Sequence, residues 1–323
     1  MRKILLASTA LVALTSVSAM AADVTISGSY AIKYQNDDKK TDTDAGSVSS
    51  EGDVNIKFSN TTDTGLTTSL NFGMHETGLK ASSTKDKLDG GTTTDKNSDG
   101  AAYDDLNASL SGDFGTLYFD PAGDDVALGG FDEKADKAGE GTDSGMSSGY
   151  RGGIMGSGGT TIGYKLPTVV DGLTIALSNG EGAGEYFGYG IGYDAGMFSI
   201  GYVSEASNEA KNKVVSIGVN VAGLSIGFDQ VEYEDTEGGS GSTEESKVTA
   251  YGVSYTLDGI TLAYEMGKMD DEANNSEVEN HKQLQASYAV APGITAIVSS
   301  SEIDAATDTN DKDVLELQLK LAF

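Results

Sequence analysis

The sequence predicts an all-β chain whose sixteen antiparallel strands close into a single transmembrane barrel, and three observations carry that expectation. Along Asp313–Phe323, Leu315, Leu317, Leu319, Leu321 and Phe323 fall on one parity, while Val314, Glu316, Gln318, Lys320 and Ala322 fall on the other. Successive side chains on a strand point to opposite faces, so this segment has one oily face and one mostly polar face. The same two-residue rhythm returns along the whole chain, its segments joined alternately by tight turns and by longer polar connections. After the first 21 residues no stretch approaches about 18 consecutive apolar residues, so no helix there is suited to cross a bilayer.

Composition narrows the class further. The 323 residues include 43 glycines, three prolines, no cysteine and no tryptophan. Without cysteine there is no disulfide scaffold, no thiolate metal ligand and no thiol nucleophile. Fifty acidic against 21 basic residues give a formal charge of −29. That balance argues against a nucleic-acid partner, which would need clustered Lys and Arg on the phosphate backbone. Acidity on this scale can signal disorder, but 15 tyrosines, nine phenylalanines and regular β-branched runs mark a chain that folds.

The chain opens on Met1-Arg2-Lys3, an apolar run from Ile4 to Val17, and the small-x-small site Ala19-Met20-Ala21. Residues 1–21 read as a signal peptide for Sec export, too short and too broken by Ser8, Thr9, Thr15 and Ser16 for an anchor. Its removal takes Arg2 and Lys3 away, leaving 19 basic residues and a charge of −31.

Residues 22–323 then read as one barrel domain. Val24, Ile26, Tyr30, Ile32 and Tyr34 form the apolar face of the first strand. Val48 to Phe58 and Leu66 to Met74 supply the second and third, Leu106 to Leu110 the fourth, and Leu117 with Phe119 a short fifth. After a long irregular stretch come Ile162 to Leu166, Leu173 to Leu177, Phe187 to Tyr193, Phe198 to Tyr202, Val215 to Val221 and Leu224 to Phe228. Tyr251 to Tyr255, Ile260 to Met266, Leu284 to Val290, Ile294 to Val298 and the C-terminal segment complete sixteen. An even number suits a closed antiparallel barrel.

Short links fall at Thr62-Asp63, Gly112-Asp113, Asp194-Ala195-Gly196, Ala222-Gly223, Leu257-Asp258-Gly259 and Ala291-Pro292-Gly293. They alternate with connections at 35–47, 77–100, 120–157, 178–185, 204–212, 234–246, 268–281 and 303–312. Short turns at one rim and long loops at the other belong to a one-sided membrane barrel. A soluble β-sandwich would bury its apolar residues between two sheets, and a solenoid would need a fixed repeat. Here loop lengths vary, and an aromatic-rich face opposes one of Ser, Thr, Asn and Gly.

Residues 120–157 are too long for a passive connection. They carry Asp120, Asp124, Asp125, Asp132, Glu133, Asp136, Glu140 and Asp143 against Lys134, Lys137 and Arg151, among many glycines. A barrel of this circumference has a lumen wide enough to hold such a loop.

With these segments in place the chain resembles the general porins of Gram-negative bacteria, especially the alphaproteobacterial, Rhodobacter-type porins. The resemblance spans residues 22–323 and rests on four stretches. They are Ala22-Asp23-Val24-Thr25-Ile26-Ser27-Gly28, Gly112-Asp113-Phe114-Gly115-Thr116-Leu117, Ile162 to Leu173, and the terminal Phe323. It implies a diffusion channel in the cell outer membrane, assembled as a homotrimer with loop 77–100 reaching over a neighbour. It also implies a third loop folded inward, whose acids face basic wall residues across the pore. One departure is Phe119-Asp120-Pro121, where the family often continues into Gly-Arg, so the basic half of the constriction is thin.

The expected constriction acids are Asp120, Asp124, Asp125, Asp132, Glu133 and Asp136. Parity turns Lys33, Lys57, His75, Lys165 and Lys320 inward; Lys57 and Lys165 are the preferred wall cations, with Arg151 adding charge from the loop. Each alone also fits a plain solvated charge. Fixed charges across a narrow aqueous gap set which ions enter, and a charge of −31 points to weak cation selectivity.

Catalysis finds little support. His75 and His281 are the only histidines, no nucleophile elbow or zinc motif occurs, and a Ser69 or Ser109 partner for His75 is the one arrangement to weigh. Calcium has hard oxygen donors at Asp124 with Asp125, and in other acidic loop clusters such as Asp270-Asp271-Glu272, none in a twelve-residue calcium loop. Divalent ions bridging these loops to one another or to lipopolysaccharide are a further expectation. A ligand-specific channel would carry a lumenal aromatic ladder, whereas Tyr118 and Tyr233 are the few inward aromatics. An adhesin or surface receptor would use the long loops and could coexist with transport.

Overall fold

A computed structural model describes residues 23–37, 46–77, 104–121, 127–131, 134–138, 160–180, 186–207, 210–235, 244–271, 276–305 and 312–323. Residues 1–21 and nearly all of loop 77–100 lie outside these, as do Asp124, Asp125, Asp132, Glu133 and Arg151.

The strands are β1 (Asp23–Asp37), β2 (Ser47–Thr61), β3 (Thr67–Thr77), β4 (Asp104–Gly112), β5 (Gly115–Asp120), β6 (Thr161–Lys165), β7 (Leu173–Gly180) and β8 (Tyr186–Asp194). They continue as β9 (Phe198–Ser207), β10 (Ala210–Val221), β11 (Leu224–Asp235), β12 (Glu244–Leu257), β13 (Ile260–Asp271), β14 (Ser276–Ala291), β15 (Ile294–Ala305) and β16 (Lys312–Ala322). Each pairs antiparallel with its sequence neighbours, and β16 returns to β1 to close the barrel. The seam runs from Ser29 opposite Ala322 to Asp37 opposite Val314. It extends one residue further, because Phe323 N–H donates to the Gly28 carbonyl at 3.0 Å and Gly28 N–H donates to the Phe323 carbonyl at 3.1 Å. Closure leaves no strand edge unpaired, which hydrocarbon demands of any sheet that crosses it.

The parity behaves as expected. Leu315, Leu317, Leu319 and Leu321 stand exposed on the outer surface, while Val314, Glu316 and Gln318 between them are buried. Aromatics gather where this apolar band ends. Tyr189 lies 6.1 Å from Tyr202, and Phe228 lies 5.2 Å from Tyr251, between ring centroids. Tyr193, Tyr255 and Tyr288 stand exposed toward the turn side. Such girdles suit rings with one apolar face and one polar tip. On that side Ala222-Gly223 and Asp258-Gly259 are tight turns with positive φ at both residues, the two-residue geometry whose twist matches that of paired strands.

Two features differ from the sequence expectation. The strands on the β9–β13 side climb beyond the apolar pattern, so that β9 and β10 leave only residues 208–209 between them. Their extra rungs carry outward Lys211, Lys213, Glu232, Glu234 and Lys247, because a hydrogen-bonded ladder can continue where lipid tails give way to polar surroundings. The inner face is also less uniformly polar than its composition suggested. Val203, Val214, Val231 and Val248 face inward, each registered opposite the next, and are buried in an apolar cluster with Leu128, Phe131 and Ala176. Leu128 and Phe131 come from the third loop, which is why an apolar patch can exist inside the lumen at all.

Candidate functional site

The described part of the third loop lies against the inner wall, and the wall is shaped to receive it. On β6, β8, β9, β11 and β12 the inward positions beneath the loop include Gly163, Gly188, Gly190, Gly192, Gly201, Gly227 and Gly252. Side chains at these glycines would collide with Ala127, Leu128, Phe131, and the carbonyls of Phe131, Lys134 and Ala135 in turn. The loop backbone therefore sits in a lane where the wall has no side chains. The inward rows of β10 to β14 then supply polar anchors. Ser216 Oγ donates to the Phe131 carbonyl, and Gln283 Nε2 donates to the Ala138 carbonyl.

Two carboxylates complete the fastening. Asp229 accepts the Lys134 N–H on Oδ1 at 3.0 Å and the Ala135 N–H on Oδ2 at 2.6 Å. Glu265 accepts the Lys137 N–H at 3.1 Å and the Ala138 N–H at 3.0 Å, both on Oε2. These are charge-assisted bonds in a buried setting, the stronger class of hydrogen bond. Each contributes on the order of 1.5–3 kcal/mol, so the loop is held rather than draped. Burial holds the Lys137 ammonium below its ordinary value, while Asp229, Asp136 and Glu265 push it back up.

Across from the loop the wall is polar. Thr25, Ser27 and Lys57 on β1 and β2 are exposed on the lumen side. Lys33 is also on this wall but is engaged by the Glu51 carboxylate. Lys165, at the end of β6, has its Nζ 5.2 Å from the centre of the Tyr118 ring. Lys320 lies on the inward parity of β16 and is partly buried. Asp120 is only 2 % exposed at the inward end of β5, next to Thr161 in register. Asp136 is partly buried on the loop, and the His75 side chain lies outside the described residues. His281 is buried on β14 at the inward position opposite Gly267. Among the described residues no three His, Asp or Glu side chains are placed to hold a metal ion.

A sequence profile of the Gram-negative porin family matches residues 7–312. The chain belongs to the Gram-negative porin family. No curated protein sequence matches it. Among solved structures it is similar to a porin variant from Rh. blastica, with 16% identity, 93% of this chain and 100% of that one covered, and a TM-score of 0.64. It is similar also to a loop-deleted form of the outer membrane protein OmpT from Vibrio cholerae, with 13% identity, 94% and 100% coverage and a TM-score of 0.65. A third is an anion-selective porin from Comamonas acidovorans, with 13% identity, 94% and 100% coverage and a TM-score of 0.63. At such identities these likenesses speak for the fold alone.

In this porin Lys57 and Lys165 face a lumen narrowed by the third loop, while Asp120 is tucked behind exposed surface. The anchors Asp229, Glu265 and Gln283 were not singled out from the sequence. Their signal was available in part: an acid at an inward parity position, on strands whose inward neighbours two residues away are glycine (Gly227 beside Asp229, Gly267 beside Glu265).

Proposed function

We propose that the protein is an outer-membrane diffusion channel for small hydrophilic solutes and ions, weakly selective for cations. One observation carries this reading. A loop is fastened inside a closed, lipid-faced barrel, and the wall opposite it is exposed and polar. Solutes then need only diffuse, with selectivity set by fixed charge at the narrowed level. The cation preference is supported by the net charge of −31 after loss of the leader, and by Glu51 neutralising Lys33 on the wall. Lys57 and Lys165 are the wall cations that oppose it, against acids contributed by the loop, Asp124, Asp125, Asp132, Glu133 and Asp136 among them.

Residues 1–21 direct export, the working unit is a homotrimer, and calcium at Asp124 and Asp125 is the candidate loop ion. Lipopolysaccharide is the candidate lipid partner, met by outward lysines such as Lys213 and Lys247 above the apolar band. Planar-bilayer recording tests the channel: open, water-filled conductance with a reversal potential of cation sign in a KCl gradient is expected. Insertion without conductance would overturn it, and an anion-sign potential would overturn the selectivity alone.

A further inference from the structure

Beneath the third loop, toward the turn side, a cavity of about 210 Å³ opens between Gly129, Gly130, Phe131 and Lys134 of the loop and the inner faces of β6 to β9. We propose that this cavity binds a small oxyanion of the phosphate class, gripped between Lys134 of the loop and Lys165 of the wall. Both lysines line it, and so do the inward residues Thr174 on β7 and Ser199 on β9. Two lysines and two hydroxyl-bearing residues on one lining offer several donors, which suits an anion with several oxygens better than a spherical halide.

The donors are also held in place. Lys134 Nζ donates to the Gly130 carbonyl at 3.0 Å, and its backbone N–H is fixed on Asp229. Lys165 rests by the Tyr118 ring. Binding therefore orders little that is not already ordered. Asp194 is the one acid on the described lining, and its Oδ1 is occupied by the Gly196 N–H at 2.6 Å. An anion held there would be retained in a channel that otherwise favours cations.

The electrical half of the test rests on the channel reading; the binding half does not. Titrating inorganic phosphate into the detergent-purified protein, followed by calorimetry, should show one saturable site. Lys134→Met and Lys165→Met should each weaken it about tenfold or more, and Thr174→Val, which keeps the strand's shape, should weaken it several-fold. Lys211→Met, on the outer surface, should leave it as it is. In bilayers phosphate should lower the KCl conductance of the parent and not of Lys165→Met. Parent and Lys165→Met proteins that respond alike to phosphate would overturn the site, as would chloride competing as well as phosphate. A conducting channel indifferent to phosphate loses the site and keeps the channel. A protein that binds phosphate but never conducts does the reverse.

Discussion

A methyl group at Gly227 would occupy the place of the Lys134 carbonyl oxygen, so closely does the third loop lie on β11. Gly227→Ala must therefore lift the loop toward the lumen. Single-channel recordings should show an altered conductance, whereas Ser225→Ala, two residues along the same face, should leave conductance at the parent value. Asp229→Asn tests the fastening without changing shape. It removes the charge behind two hydrogen bonds and turns part of the acceptor into a donor facing N–H groups. A loss of about 1–3 kcal/mol is expected in urea unfolding from lipid vesicles, together with noisier open-channel current. Neither residue stands out in the sequence. A lone inward acid looks like any solvated wall charge until the strand register brings Lys134 and Ala135 against it.

At the scale of the strand, the two-residue period was legible because the membrane imposes it. Leu315, Leu317 and Leu319 face lipid, and Glu316 and Gln318 face inward, with nothing in between to blur the alternation. Leu317→Lys should cost about 2–4 kcal/mol in vesicle unfolding, the penalty for a lysine near the bilayer midplane. Ser27→Lys, at an exposed inward position on β1, should leave stability nearly unchanged and move the reversal potential toward anions. Strand ends were less legible. The hydrophobic pattern stops where lipid stops, yet the ladder of β9 to β13 runs on through Lys211, Glu232 and Lys247. The loop's path was the least legible. Its contacts are scattered from Gly163 to Gln283 on nine consecutive strands, and only barrel closure brings them into one lane.

For the molecule as a whole, the long-range charge of −29 and the local wall cations act over different distances. Salt separates them, because the screening length shrinks from about 10 Å at 0.1 M to about 3 Å at 1 M. The potassium-over-chloride preference should be clear in 0.1 M KCl and fall most of the way toward the bulk mobility ratio at 1 M. A preference that stays constant over this range would place its origin in close contacts at the narrowed level. The wall is also uneven in height: β5 and β6 have six and five residues, whereas β12 and β14 have 14 and 16. A ladder with so few rungs opens at lower free energy than its tall neighbours. Deuterium should enter the amides of 115–120 and 161–165 well before those of β12 to β14, so that on heating this porin melts first at the two strands from which its third loop springs.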